Sequence, residues 1–152
     1  MPEQGIPGSR PRRGGGESCG LARRLMAMAY DAVAVLALWL LATALAMLAG
    51  FRELSITEDP LYDVYLLLIW FAYLGWCWNR GGMTLGMRAW RIRIESDTGG
   101  LPNWRSCAVR FLASLLSAAA AGLGFVWSLF DRERRTWHDR LSRTRLLRTA
   151  TR

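Results

Sequence analysis

The sequence predicts an all-α membrane protein: a small bundle of two full transmembrane helices plus a third apolar helical segment, with a short cytoplasmic β pairing beside it. Three observations predict this class. The apolar residues are gathered into blocks at 25–51, 61–78 and 111–130, each close to the roughly 20 residues a helix needs to cross the hydrocarbon core. The polar remainder of a 152-residue chain is too short to cover three such blocks. The basic side chains, all arginine with no lysine, flank the blocks rather than interrupt them, as positive charge does in membrane proteins.

Residues 1–20 (MPEQGIPGSRPRRGGGESCG) are expected to form a disordered cytoplasmic arm, because they lack the apolar residues that offset ordering entropy. The membrane domain is expected at 21–148, with a flexible tail at 149–152. Five arginines up to Arg24 against Glu3 and Glu17 keep the N-terminus in the cytoplasm by the positive-inside rule. The first helix then runs outward. The connection FRELSITEDPLYD has a single arginine and is the better outer loop. Pro60 suits a helix start, and the second helix returns to end at GWCWNRGG, where Trp76 and Trp78 are expected to form an inner aromatic belt.

Residues 79–110 carry six arginines and two acids and belong on the cytoplasmic side. Within them AWRIRIES alternates, with Trp90, Ile92 and Ile94 on one face and Arg91, Arg93 and Glu95 on the other, followed by the turn signal DTGG. The pattern is that of a short strand, with a surface-lying amphipathic segment as the competing reading.

The third block raises a conflict. A single crossing would put the tail outside, yet residues 131–152 hold eight arginines against three acids, which belong inside. The block therefore either spans or re-enters. Its centre, SAAAAGLG, contains Gly122 and Gly124, where a helix can break and return. The tail run TRLLRTA can pair with RIRIE only if both lie on one side, so a cytoplasmic C-terminus is expected.

The residues that could carry chemistry are few. Asp31 is the only charge in residues 25–51. An ionised aspartate in mid-helix costs about 2.5–3.5 kcal/mol on insertion scales. Positions 24, 27, 31, 34, 38 and 42 share one helix face, and alanine fills 27, 34 and 42, so Asp31 faces other helices rather than lipid. It is either an ion, proton or substrate contact or a structural carboxylate. Arg23 and Arg24 lie at the inner interface, where arginines snorkel to anionic phospholipid headgroups. Arg24 is better placed to meet a cytoplasmic acid than to meet Asp31. Such an acid exists in RRTWHDRLSRT. There His138, the one histidine, could move protons, and Asp139 could cap a helical turn.

Cys19, Cys77 and Cys107 lack metal-ligand spacing and read as free thiols. No nucleophile with a base, no metal cluster and no phosphate-binding glycine loop is evident. The expectation is a non-enzymatic protein without cofactor or metal. The net charge of +8 is read as arginine-rich composition, and no nucleic-acid partner is expected.

The chain resembles the RDD family of small bacterial membrane proteins. The residues that carry the likeness are RRLMAMAYD with Arg24 and Asp31, GGMTLGMRAWRIRIESDTGG with Thr84 and Gly86, the block opened by Arg110, and RRTWHDRLSRT with His138, Asp139 and Thr144. The resemblance implies the bacterial plasma (inner) membrane and makes Arg24, Asp31 and Asp139 the principal site residues, with Arg23, His138, Thr84, Gly86 and Thr144 secondary. It implies transport of ligands that it does not identify. Two functions are therefore expected as alternatives. One is transport or ion exchange, which needs a homo-oligomer or another membrane protein to enclose a pathway. The other is a lipid- or partner-binding assembly module in which Arg24 and Asp139 form a structural clasp.

Overall fold

A computed structural model describes residues 19–50, 60–120, 123, 127, 131 and 135–149. Most of the expected arm, the outer connection at 51–59, Gly122, Gly124 and residues 150–152 of the tail lie outside the described residues.

Helix α1 (Leu21–Leu48) and helix α2 (Pro60–Gly81) are the two helices long and apolar enough to cross a membrane. Of its own residues α1 buries Arg24, Ala27, Val35 and Ala42, the face with the small residues. Its other side is apolar and open, with Val33 70% and Leu40 65% exposed, a surface matched to lipid rather than water. Lipid supplies no hydrophobic drive between such helices, so polar contacts help to join them. Tyr62 Oη lies 2.6 Å from Thr43 Oγ1. Tyr65 donates to the Ala42 carbonyl at 3.2 Å, and the Trp39 indole donates to the Leu66 carbonyl at 3.1 Å.

Gly82 closes α2 with φ +65°, a left-handed value that glycine adopts without steric cost. The short helix α3 (Leu85–Ala89) follows, capped by Thr84, whose hydroxyl accepts from the Met87 N–H. Strand β1 is Ile92–Ser96, and Trp90 of the alternating run ends α3 instead of joining it. Helix α4 is Trp104–Ala119, capped by Asn103. It starts seven residues ahead of the apolar block, so Arg110 stands within the helix rather than before it. Helix α5 (Trp137–Leu141) and strand β2 (Thr144–Arg148) complete the described chain.

β1 and β2 pair antiparallel, with Ile94 opposite Leu146. The expected pairing therefore forms, although the tail is strongly basic. Alternation explains why: Ile92, Ile94 and Leu146 turn inward onto Leu74, Trp78, Met87, Cys107 and Phe111, while Arg145 and Glu95 face each other 3.8 Å apart on the wet side. Trp78 is not part of an inner aromatic belt. It is 5% exposed in this core and lies under the Arg110 guanidinium at 5.4 Å. Trp76 is exposed and carries Arg80 over its ring at 4.6 Å.

The fold also contains a short internal repeat. TLGMRAWRIRIES (84–96) and TWHDRLSRTRLLR (136–148) align without gaps at an offset of 52 residues. In each unit a threonine caps a five-residue helix, an arginine with φ near +50° follows (Arg91 at 53°, Arg143 at 52°), and a five-residue strand ends the unit. Ile94 pairs with its own equivalent, Leu146, so a local two-fold axis passes between them.

Candidate functional site

Helix α1 docks each repeat unit through one charged side chain. Arg24 and Asp31 are seven residues apart, two turns on the same face, and they serve different clusters, so the three principal site residues do not form one group.

The first cluster is a clasp around Asp139. Arg24 Nη1 donates to Asp139 Oδ2 at 2.5 Å, and Arg110 Nη1 donates to Oδ1 at 2.5 Å. All three side chains are at most 4% exposed. Arg110 also donates to Thr144 Oγ1 at 2.8 Å, and Arg24 Nε donates to the Cys19 carbonyl at 3.2 Å. Asp139 does not begin its helical turn, as the sequence suggested. It is the third residue of α5, in a capping box: Thr136 Oγ1 accepts from the Asp139 N–H, and Asp139 Oδ2 accepts from the Thr136 N–H. Burial alone would raise the carboxyl pKa, but Arg110 and Arg24 outweigh it and hold Asp139 well below the usual carboxylate range. Beside it, burial, reinforced by Arg110, pushes His138 down to about 3 against the pull of Asp139. The imidazole is thus neutral near pH 7, and proton shuttling by His138 at that pH is not supported.

In the sequence Arg110 stood out only as the residue that opens the third apolar block and was not among the candidate site residues. Its signal was its place at the head of the third apolar block, which an interfacial snorkelling arginine would share.

The second cluster is the seat of α3. Asp31 Oδ2 accepts from the Thr84 hydroxyl at 2.5 Å, and Oδ1 accepts from the Gly86 N–H at 2.9 Å and from the Tyr73 hydroxyl at 3.3 Å. The Gly86 N–H is one of the donors that a helix start leaves unpaired. Gly86 is required by proximity: a Cβ there would overlap the Ala27 carbonyl of α1. Hydrogen bonds to a charged group contribute about 1.5–3 kcal/mol each, so three of them offset the cost of about 2.5–3.5 kcal/mol for placing the carboxylate at that depth.

Between the clusters lies a cavity of about 460 Å³, walled by α1, α2 and α4, with Met87, Ile92 and Leu146 also lining it. Arg24, Arg110 and His138 lie at its clasp end, and Asp31 lines it two turns further along α1. The remaining wall is largely apolar and aromatic, with Val35, Leu36, Trp39, Trp70 and Leu74. Met28 and Leu36, which line it, are 44% and 54% exposed, and the cavity is partly open rather than sealed. Trp78 also lines it, and its indole Nε1 has no hydrogen-bond partner among the described residues. A smaller cavity beside the N-terminus of α1 is lined by Arg23, Trp90 and Arg148. Arg23 thus stays out of the clasp. No group of acids, histidines and cysteines able to hold a metal ion occurs among the described residues.

The site therefore joins an arginine and an aspartate of the first apolar helix, a T-x-G loop, an arginine that opens the last apolar segment, and an aspartate in the basic tail. No curated protein and no solved structure matches the chain. The model of the RDD family matches residues 19–143, which take in every one of these elements, and the chain belongs to that family of membrane proteins.

Proposed function

We propose that the protein is a non-enzymatic, multi-pass protein of the bacterial inner membrane that binds an amphiphilic ligand drawn from the bilayer. The observation that carries this reading is the cavity, which is partly open, has a largely apolar wall that includes the half-exposed Met28 and Leu36, and reaches the buried arginines. Its volume falls in the range of about 300–1,000 Å³ typical of small-molecule sites. The unpartnered Trp78 donor favours a ligand carrying an acceptor, because a buried donor left unpaired costs about 1–3 kcal/mol. In this reading Asp139 is a structural clasp for Arg24 and Arg110. Arg23 and Arg148 attract anionic phospholipid headgroups around the smaller cavity.

The topology proposed has both termini in the cytoplasm, supported by positive charge on both sides of the third block and by the pairing of β1 with β2. A reporter fused after Arg152 and active only outside the inner membrane is expected to stay silent; strong activity there would overturn this topology. For ligand binding, native mass spectrometry of the detergent-purified chain is expected to show a retained amphiphile, lost when Ala32→Trp fills the cavity. Equal retention by a folded Ala32→Trp variant would remove the binding reading.

Transport or exchange through the same cavity is the second reading. It is favoured by Asp31, a carboxylate that lines the cavity with no ion pair among the described residues. It requires a homo-oligomer or another membrane protein to complete a pathway. Proton-coupled cation flux in proteoliposomes, abolished in folded Asp31→Asn, would establish it; flux absent from the wild type would dismiss it.

A further inference from the structure

We propose that the Asp31 end of the cavity selects lipophilic organic cations, molecules with one permanent or protonated positive centre set among apolar groups. The inference rests on reading the cavity as a ligand site and adds the chemistry of the ligand.

The first argument is charge. The three groups that hold Asp31 are a threonine hydroxyl, a phenol and a backbone N–H, all neutral. They orient the carboxylate without cancelling its charge. The buried cations that line the cavity, Arg24 and Arg110, are spent on Asp139, and Arg88 of α3 is exposed and makes no ion pair with Asp31 among the described residues. Arg24 lies seven residues before Asp31 on α1, about 10 Å by helix rise, too far for an ion pair. In a site walled by hydrocarbon, an uncancelled carboxylate attracts a cation more strongly than it would in water.

The second argument is the wall. Trp39 and Trp70 line the cavity and meet edge to face, with ring centres 5.9 Å apart. Trp39 is eight residues beyond Asp31, about 12 Å by helix rise, so this aromatic surface lies further along the cavity and suits the apolar groups of a ligand whose charge sits at the carboxylate. Around them stand Ala32, Val35, Leu36 and Leu74, which suit alkyl or aryl substituents and repel a hydrated ion. Asp31 is the sole carboxylate among the lining residues. A bare metal cation such as calcium needs about six to eight oxygen ligands, and this wall cannot replace them.

The third argument is access. Met28 and Leu36 are apolar lining residues about half exposed, and the proposed route of entry runs past them from the bilayer. A molecule entering there has first dissolved in the membrane, which excludes small hydrated cations and admits lipophilic ones. Anions are disfavoured because both guanidinium groups at the clasp end are already engaged and almost fully buried.

The test uses two probes of one shape and opposite charge, tetraphenylphosphonium and tetraphenylborate, with the full chain in nanodiscs and equilibrium dialysis corrected by empty discs. Tetraphenylphosphonium is expected to bind saturably, one per chain, and tetraphenylborate only to partition. Two substitutions probe Asp31. Asp31→Asn removes the charge. Met28→Lys sets an ammonium one turn away on the same face and leaves the Thr84 and Gly86 bonds in place, so it tests the charge even if Asp31→Asn fails to fold. Each folded variant is expected to weaken tetraphenylphosphonium binding by about tenfold or more, the equivalent of losing about 1.4 kcal/mol. Saturable tetraphenylborate binding without tetraphenylphosphonium, or wild-type affinity in Met28→Lys, overturns the cation assignment and leaves the cavity reading standing. Neither probe binding, with a bilayer amphiphile still retained in native mass spectra, overturns the cation assignment alone. Neither probe binding and no amphiphile retained overturns both.

Discussion

Arg110 of α4 and Asp139 of α5 meet in a buried 2.5 Å ion pair although 29 positions of chain separate them. Between them runs the third apolar block, so the chain leaves this point and comes back to it. From Arg110 to Ala119, the last residue of α4, a helix advances about 14 Å, roughly half the thickness of a hydrocarbon core. The clasp therefore does more than join two side chains. It fixes both ends of that excursion to the first transmembrane helix through Arg24.

Removing the shared carboxylate should be the most damaging single change at the clasp. Asp139→Asn keeps the shape of the side chain but leaves two buried guanidinium groups without a counter-charge. Breaking one buried pair costs about 3–5 kcal/mol, so this variant should lose at least that much. Arg24→Gln and Arg110→Gln should each cost less, because Asp139 keeps one arginine. Denaturation midpoints in detergent check the order, and an Asp139→Asn midpoint equal to wild type would refute the clasp. A double-mutant cycle on Arg24 and Asp139 should show coupling.

The clasp should also give the protein an acid-sensitive stability with two windows. His138 has a folded pKa of about 3 against about 6.5 when unfolded. Between those values the unfolded chain takes up a proton that the folded chain refuses, so stability falls as pH drops below about 6.5, by up to about 1.4 kcal/mol per unit. Asp139 acts lower. Its folded pKa is depressed, so its contribution is full above the unfolded value of about 3.9 and is lost as the pH falls further, towards its folded value. His138→Gln should flatten the profile from pH 7 to 5 and leave the lower window. Unfolding curves across that range decide it, and an unchanged slope in His138→Gln would show that another group is titrating.

At the other cluster the Thr84 hydroxyl has two roles, donating to Asp31 and accepting from the Met87 N–H. Thr84→Ser keeps both and loses only a buried methyl group, so it should cost about 0.8 kcal/mol. Thr84→Val keeps the volume and loses both. It should cost about 1–3 kcal/mol, combining a lost cap with a buried acceptor deprived of its donor. Equal stability of the two variants would mean that the hydroxyl does not hold α3 to α1.

The sequence displayed best what depends on local pattern. Both spans follow from uninterrupted apolar runs, β1 from the alternation of Ile92 and Ile94 with arginines, and the orientation of Asp31 from the small residues on its helix face. Two contacts between distant segments were also legible, the pairing of TRLLRTA with RIRIE and the meeting of Arg24 with Asp139, while the family resemblance singled out Thr84 and Gly86 without showing what they meet. Nothing local says that Asp31 receives the Gly86 N–H 55 residues away. Trp78 was misplaced because a tryptophan near the end of a span suits an interface and a core equally well. The repeat escaped because its identities are three arginines and one threonine, residues common in this chain, spread over 13 positions of each unit. Only the strand register, with Ile94 against Leu146, makes the correspondence evident.

The tightest sequence requirement in the fold is expected at Gly86. Its missing side chain lets α3 rest on the backbone of α1, where a Cβ would overlap the Ala27 carbonyl and press on the Asp31 carboxyl group. Backbone cannot swing aside as a flexible side chain does, so Gly86→Ala must push α3 away from α1. The displacement would stretch the Gly86 N–H bond to Asp31 and open the wall of the cavity that Met87 helps to form. Overpacking of this kind costs about 1–3 kcal/mol, with the loss of a hydrogen bond to a charged acceptor added. Gly81, where an added Cβ would find its nearest neighbour at 3.6 Å, in the Arg88 side chain, is the control: Gly81→Ala near the end of α2 should be nearly neutral. Thermal unfolding of the two variants in one detergent makes the comparison, and a Gly86→Ala protein as stable as Gly81→Ala would show that α3 does not sit against α1 at Ala27.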